Sequence, residues 1–187
     1  MDKTLVFIDD GFLSKVSKFF GGGNHIKLHR KDFAESLCSK ENLFCEKIFL
    51  YTAPPFQSHK PGKAEEKRKE GYDKFASSLV REGVVVREGR CRRLKIDGGY
   101  VYSQKGVDIL LAIDLMKVVS DFRGVGKVIL VASDSDFVPV IKELSSKGIK
   151  TVLYTYYDKK RDSPFSRSNH LIKSVSKYVK MVKEDFE

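Results

Sequence analysis

A regular alternation of short apolar runs with longer segments of helical spacing constrains the fold of this chain most. The apolar runs are short and nearly continuous, which is typical of strands buried on both faces of a parallel sheet. They lie at 4–9, 46–52, 83–87, 126–132 and 149–154. The segments between them predict helices at 31–40, 63–82, 106–120 and 136–147, the last ending at Gly148. Strand and helix therefore alternate, and we predict a three-layer α/β domain with a mainly parallel central sheet.

The composition indicates a soluble, basic domain. One compact domain over residues 1–187 is expected, because two domains in this length would each be undersized. The 35 Lys and Arg residues against 25 Asp and Glu residues give a formal net charge of +10, which either indicates a polyanionic partner or serves solubility. No run approaches the roughly 20 apolar residues that span a bilayer, and the opening MDKTLVFIDD carries acidic residues instead of an apolar signal. Three cysteines without a CxxC pair predict reduced thiols and a cytoplasmic location.

Acidic residues follow two of the predicted strands at their carboxyl ends. Asp9 ends the first strand, and Asp134 and Asp136 come directly after the run at 126–132. Ligands of open α/β sheets bind beyond the carboxyl ends of the strands, so carboxylates there are informative. Crowded carboxylates repel one another, and such a cluster usually persists because a divalent cation neutralises it. The alternative is that Asp134 and Ser135 are ordinary helix caps.

The apolar helix predicted at 106–120 carries two further carboxylates, Asp108 and Asp114. At 100° per residue they lie about 120° apart, so one regular helix cannot direct both to a single small ion. Asp108 lies in the first helical turn, where the macrodipole favours a carboxylate, and we assign it as a direct metal ligand. Asp114 lies deeper in apolar sequence, either behind the ligands or in a structural ion pair. Three roles remain open for Lys105. It contacts a phosphate, it balances the negative charge of the aspartates, or it is a solvated lysine before the helix.

Basic and aromatic residues surround a predicted hairpin at 88–104, whose turn is Asp97-Gly98-Gly99. Arg92 and Arg93 are candidate contacts to a nucleic-acid backbone. Three aromatic residues nearby either stack on unpaired bases or pack in the core: Phe56, Tyr100 and Tyr102. Polar loops predicted at 53–62 and 158–168 could border the binding cleft.

Three segments together resemble the NYN domain family, the LabA-like branch of the PIN-like nuclease superfamily: VFIDDGFL at 6–13, KGVDILLAIDLM at 105–116 and ASDSDFVPVIKELSSKGIKTVLY at 132–154. The resemblance implies a Rossmann-like PIN-type fold whose aspartates bind Mg²⁺ or Mn²⁺ and cleave RNA phosphodiesters. Asp10 stands where the family often has glycine, and Ser133 replaces a glycine common before the DSD turn. The residues that match the metal ligands of the family are Asp9, Asp108, Asp114, Asp134 and Asp136.

These observations together predict a metal-dependent ribonuclease acting on RNA that is single-stranded, and they leave a homodimer open. The expected catalytic residues are Asp9, Asp108, Asp134 and Asp136. The expected substrate-binding residues are Lys105, Arg92, Arg93, Ser133 and Ser135. The alternative is a non-catalytic RNA-binding or scaffold module with the same fold. Intact carboxylates count against it, because a pure binder of polyanions has little reason to retain a negative pocket.

Other phosphotransfer enzymes that use Mg²⁺ fit the sequence less well. A haloacid-dehalogenase-like phosphatase needs an aspartate two residues after the first one, where this chain has Gly11. A topoisomerase-primase-like domain also carries a DxD motif, but its catalytic residue on the first strand is a glutamate and not an aspartate like Asp9.

Overall fold

The computed structural model describes residues 1–158 and 163–186, and within them the chain forms strands and helices in alternation. The strands are β1 (Asp2–Asp9), β2 (Leu43–Thr52), β3 (Val85–Glu88), β4 (Arg90–Ile96), β5 (Gly99–Lys105), β6 (Lys127–Val131), β7 (Lys150–Thr155) and β8 (Lys177–Lys180). The α-helices are α1 (Asp10–Phe20), α2 (Arg30–Lys40), α3 (Lys63–Arg81), α4 (Val107–Asp121), α5 (Val138–Ser146) and α6 (Asn169–Ser174). Short 3-10 helices cover Ser135–Phe137 and Lys183–Phe186.

Six strands form one central sheet in the order β3-β2-β1-β6-β7-β8. Every neighbouring pair in this sheet is parallel. From β1 the chain builds outward through β2 and β3, then crosses back to β6 and continues in the opposite direction. The strand order therefore reverses between β1 and β6, and this junction is the topological switch point where ligands of doubly wound sheets bind.

Both faces of the sheet are buried, which confirms the predicted three layers. Along β1, Leu5 and Phe7 pack into one core while Val6 and Ile8 pack into the other, and all four side chains are fully buried. The first core lies beneath α4 and α5, and the second lies beneath α1 and α2 with the end of α3. A strand buried on both faces needs a continuous apolar run, and this is why the sequence identified five of the six sheet strands.

The hairpin predicted around 88–104 is confirmed as a separate two-stranded unit, β4 paired antiparallel with β5. Its turn residues Asp97 and Gly98 both have positive φ, 36° and 83°. Two consecutive residues of positive φ favour the tight hairpin turn that an Asp-Gly pair forms most readily. The backbone N–H of Gly89 donates to the carbonyl of Thr52 (2.8 Å), so the base of the hairpin is fastened to the end of β2.

Four features of the fold differ from the expectation. Helix α1 follows β1 without a loop, and the predicted helix at 136–147 begins as a 3-10 turn and becomes α-helical at Val138. Helix α6 has only one and a half turns, and β8 is a polar edge strand, so neither leaves an apolar periodicity in the sequence. Of the polar loop predicted at 158–168, residues 159–162 lie outside the described residues.

Helix α4 is apolar on its outer surface as well as its inner one. Leu111, Leu115 and Val118 are fully buried, whereas Ile109 and Ile113 remain exposed. The helix has 15 residues. Within residues 1–158 and 163–186, no helix combines the length and the hydropathy that crossing a membrane requires.

The base of the hairpin requires glycine at position 89. A Cβ atom there would lie 2.5 Å from the carbonyl oxygen of Lys105 and 2.7 Å from Cγ2 of Val107. We expect Gly89→Ala to lower the free energy of unfolding by roughly 1 to 3 kcal/mol, the usual cost of overpacking. Gly71→Ala is the matched control, because Gly71 lies inside α3 with open space around it and should gain about 0.5 to 1 kcal/mol. Urea denaturation measures both changes, and equal effects of the two substitutions would contradict this account.

Candidate active site

An acidic pocket of about 610 Å³ opens at the switch point between β1 and β6. Its walls come from the junction of β1 with α1, the end of β5, the first turn of α4 and the segment after β6. Pro164 and Phe165 close one side. Three of the four aspartates predicted as catalytic line this pocket: Asp9, Asp108 and Asp134.

Asp9 is at once the last residue of β1 and the N-cap of α1. Its Oδ1 accepts the backbone N–H of Phe12 (3.1 Å). The pKa of Asp9 is raised to about 6, chiefly because the carboxyl group is buried. Hydrogen bonds from the backbone N–H groups of Phe12 and Gly11 lower the pKa but do not offset the effect of burial. The charges of Asp108 and Asp10 raise the pKa further. The pocket therefore holds a carboxylate whose negative charge is poorly compensated.

Asp108 lines the pocket from α4, and Asp134 lines it from the segment after β6. Burial raises the pKa of Asp108, and the charges of Asp134 and Asp136 raise it further, while Lys15 lowers it. Oδ1 of Asp134 accepts the backbone N–H of Asp136 (2.9 Å), so Asp134 caps the 3-10 turn. Asp136 does not line the pocket, but its charge acts on Asp108. Asp134 is therefore a cap, as the alternative interpretation predicted, and the same residue also lines the pocket.

The donor set of this pocket fits a hard divalent cation, which prefers carboxylate oxygens. In the described part of the chain, no three Asp, Glu, His or Cys side chains come together closely enough to hold an ion by themselves. Mg²⁺ usually keeps several waters and takes only one or two carboxylates together with substrate phosphates. The carboxylates of the pocket fit an open, water-rich ion site of that kind, and they do not fit a closed all-protein cage.

Asp114 does not belong to this pocket, and its assignment as a metal ligand is corrected. Oδ2 of Asp114 accepts a hydrogen bond from the hydroxyl of Tyr51 (3.1 Å) and lies 2.9 Å from Nε of Arg87. Lys117 adds a longer contact of 3.5 Å. Asp114 is buried, and a buried carboxylate needs such cationic and hydroxyl partners. Asp114 therefore forms a structural ion pair with Arg87, which is one of the two alternatives that the sequence left open.

The predicted substrate-binding residues are distributed around the pocket unevenly. Ser133 lines it, whereas Ser135 and Lys105 are exposed and lie outside its lining. Arg92 and Arg93 are neighbours on β4, so their side chains leave the hairpin on opposite faces. Arg92 is exposed, while Arg93 is half-buried between two aromatic rings. The two arginines therefore cannot act as one contact.

Several residues near the pocket were not predicted from the sequence, because α1 follows β1 with no loop to mark its start. Lys15 lines the pocket from α1, and Asp10 is buried beside it. Nε of Arg30 lies 2.7 Å from Oδ1 of Asp10, and a terminal nitrogen of Arg30 donates to the hydroxyl of Ser14 (3.1 Å). The negative charge of Asp10 is therefore compensated by Arg30, so Asp10 is not a candidate metal ligand. Only the adjacency of Asp10 to Asp9 gave any signal for these contacts.

The fold and the pocket together define a class, the doubly wound α/β domains that carry an acidic ligand site at the switch point. The family model of the NYN domain matches residues 3–181, and the chain belongs to this family within the PIN-like nuclease superfamily. The fold is similar to that of a protein of unknown function from Vibrio parahaemolyticus, with a TM-score of 0.62. The two chains are 18% identical over 99% of this chain and 95% of the other. A search of curated proteins gave no match.

The raised pKa of Asp9 predicts how stability depends on pH in the presence of a chelator. The folded-state pKa of about 6 exceeds the ordinary value of 3.8, so the folded state binds the proton more tightly. This contribution is fully present below about pH 4 and is lost as the pH rises through about 6. Asp9→Asn keeps the cap and removes the charge, so it should raise the free energy of unfolding at pH 8 by roughly 2 to 3 kcal/mol.

Asp2→Asn is the control for this measurement, since Asp2 is the exposed residue at the other end of β1. Urea denaturation between pH 4 and pH 8 should show a flatter pH dependence for Asp9→Asn and an unchanged one for Asp2→Asn. A loss of stability in Asp9→Asn at pH 8 would mean that the pocket already compensates this charge.

The substitution Asp114→Asn should lower the stability of the fold, whereas Asp9→Asn should raise it. It leaves Arg87 without its counter-charge, and we expect the free energy of unfolding to fall by about 2 kcal/mol, discounted because Arg87 is partly open to solvent. Asp121→Asn, an exposed position on the same helix, should change little. If Mn²⁺ stabilises the protein, both variants should keep this stabilisation. If Mn²⁺ no longer stabilised Asp114→Asn but still stabilised Asp121→Asn, Asp114 would be a metal ligand after all.

Proposed function

We propose that this chain is a metal-dependent ribonuclease that hydrolyses phosphodiester bonds of single-stranded RNA. The observation that carries the proposal is the meeting of Asp9, Asp108 and Asp134, from three separate elements, in one pocket at the switch point. Membership of the NYN family supports it, since this family has a nuclease-type domain. The net charge of +10 supports a polyanionic substrate.

Mg²⁺ or Mn²⁺, when bound, would activate the attacking water and stabilise the negative charge that develops on the phosphate oxygens. Asp9, Asp108 and Asp134 would hold the ion, with Asp136 adding to the negative field behind them. A backbone N–H donates to Oδ1 of Asp9 and another to Oδ1 of Asp134, which orients each carboxylate. Catalysis by this site needs no histidine or serine nucleophile.

Lys15 and Ser133 would position the substrate. Lys15 is the one cationic side chain among the described residues that line the pocket. Its ammonium group can hold a phosphate oxygen close to the carboxylates without neutralising all of them. The hydroxyl of Ser133, beside Asp134, can donate to another phosphate oxygen.

The second candidate is a non-catalytic RNA-binding or scaffold module. One observation favours it, namely that no three metal-binding side chains of the described residues come together closely enough to hold an ion. Against it stands the raised pKa of Asp9, because burial of an uncompensated carboxylate costs stability that a plain binder of RNA need not lose.

Three further features belong to the proposal. We assign residues 1–187 to a single domain, as the family match over 3–181 favours. A cytoplasmic location agrees with the three free cysteines. The apolar outer face of α4 is compatible with a homodimer.

Asp134→Asn should abolish cleavage of single-stranded RNA in Mn²⁺ or Mg²⁺, as should a chelator. The asparagine still accepts the backbone N–H of Asp136, so the turn is preserved while one charge of the site is lost. We expect a loss of at least about a hundredfold in rate, together with RNA affinity that is unchanged or improved. Asp121→Asn is the matched control and should retain full activity.

Gel-resolved cleavage of an end-labelled RNA measures these rates. Activity that survives both the chelator and Asp134→Asn would remove the pocket from the reaction. RNA binding without cleavage in the parent protein, under every metal condition, would favour the scaffold alternative.

A further inference from the structure

One face of the β4–β5 hairpin carries aromatic side chains that are exposed beside the acidic pocket. Tyr100 and Tyr102 alternate with residues of the opposite face along β5, and they are 55% and 51% exposed. Exposed rings that adjoin one another form a patch, and a patch indicates an interaction site more strongly than a single exposed ring does. The hairpin forms its own two-stranded sheet outside the central one, so no strand of the core covers this face.

Arg93 lies between two aromatic rings on the same face. Its guanidinium lies 4.4 Å from the ring centroid of Tyr100 and 4.5 Å from that of Phe56, one ring from the hairpin and one from the loop after β2. Arg93 makes no hydrogen bond to any described residue, and its charge acts on Glu65 only at longer range. The N–H donors of a guanidinium lie in its plane, at its edge. A guanidinium that stacks between two rings can therefore still donate hydrogen bonds to an anionic acceptor.

Tyr102 connects this arrangement to the acidic pocket. It lies directly opposite Arg93 in the hairpin register, and its ring is 6.0 Å from that of Phe56. The same residue lines the pocket, next to Gln104. Oε1 of Gln104 lies 3.0 Å from the position a Cβ atom of Gly11 would take, so this strand approaches the backbone beside Asp9.

We infer that this face of the hairpin binds an unpaired nucleotide next to the phosphate held in the pocket. The base stacks on the ring of Tyr102, and Arg93 donates to the backbone phosphate that follows it. The inference rests on the proposed function and deepens it, because it names the part of the chain that selects single strands.

The selection follows from the geometry of the base. Every base has a π face, so stacking on tyrosine tolerates any sequence, but it requires a base that is not already stacked and paired in a duplex. Arg93 adds affinity through the phosphate without reading sequence. The hairpin thus provides selectivity for strand state, while the carboxylates act on the phosphodiester.

The experiment measures binding by the full chain in a chelator, where no cleavage occurs. The probes are a fluorescein-labelled single-stranded oligouridylate, its duplex with oligoadenylate, and a single strand that carries one 2-aminopurine. Tyr102→Ala should weaken single-strand binding by about tenfold or more and relieve the quenching of 2-aminopurine. Tyr102→Phe should retain both, and duplex binding should be equal in all three proteins.

Two matched controls separate stacking and charge from general damage. Tyr178→Ala removes a similarly exposed tyrosine from the edge strand β8 and should have no effect. Arg93→Ala should flatten the slope of log affinity against log salt by about 0.7, whereas Arg123→Ala, at an exposed arginine in the turn before β6, should leave it unchanged. Tyr102→Leu serves in place of Tyr102→Ala if the latter shifts the melting temperature.

Single-strand affinity that is equal in Tyr102→Ala, Tyr102→Leu and the parent would overturn the inference, as would parallel losses for single strand and duplex. The stacking inference and the proposed nuclease function can fail independently of each other. A protein that never cleaves RNA but shows the expected binding pattern keeps the stacking site and loses the nuclease. A protein that cleaves RNA with the same KM in Tyr102→Ala and Tyr102→Phe keeps the nuclease and loses the stacking site.

Discussion

The burial of the carboxylate of Asp9 at the end of β1 is the constraint on which the site depends. Strand β1 is buried on both faces and runs without a loop into α1, so Asp9 ends the strand, caps the helix and faces the pocket. The backbone N–H of Phe12 donates to this carboxylate and fixes it in place, while burial raises its pKa. A buried carboxylate with a raised pKa in a cleft is typical of a functional site, and under the proposed function it would bind a cation.

The fold distributes its arginines so that this charge stays uncompensated. The two aspartates that are most buried each have an arginine, Asp10 with Arg30 and Asp114 with Arg87. Among the described residues, no arginine pairs with Asp9, Asp108, Asp134 or Asp136, and the cation that lowers the pKa of Asp108 is Lys15. Structural carboxylates and candidate metal ligands are therefore told apart by their cationic partners, which the sequence alone does not reveal.

The sequence predicted the fold well where burial leaves a direct signature. The apolar runs identified five sheet strands, and the Asp97-Gly98 pair identified the hairpin turn. Helix α1 and strand β8 were missed, the first because it follows a strand with no turn residues between them, the second because its outer face is polar. Strand ends indicated Asp9 and Asp134 correctly as pocket residues, whereas the partner of Asp114 lies 27 residues away and depends on tertiary packing.

A crystal structure of the protein soaked in Mn²⁺, with the ion located by its anomalous scattering, tests the proposed metal site directly. We expect a peak in the pocket, bonded to carboxylate oxygens of Asp9, Asp108 or Asp134 and to water. The Asp114–Arg87 pair should remain intact and free of metal. A pocket without a peak at saturating Mn²⁺, or a peak on Asp114 instead, would contradict the account.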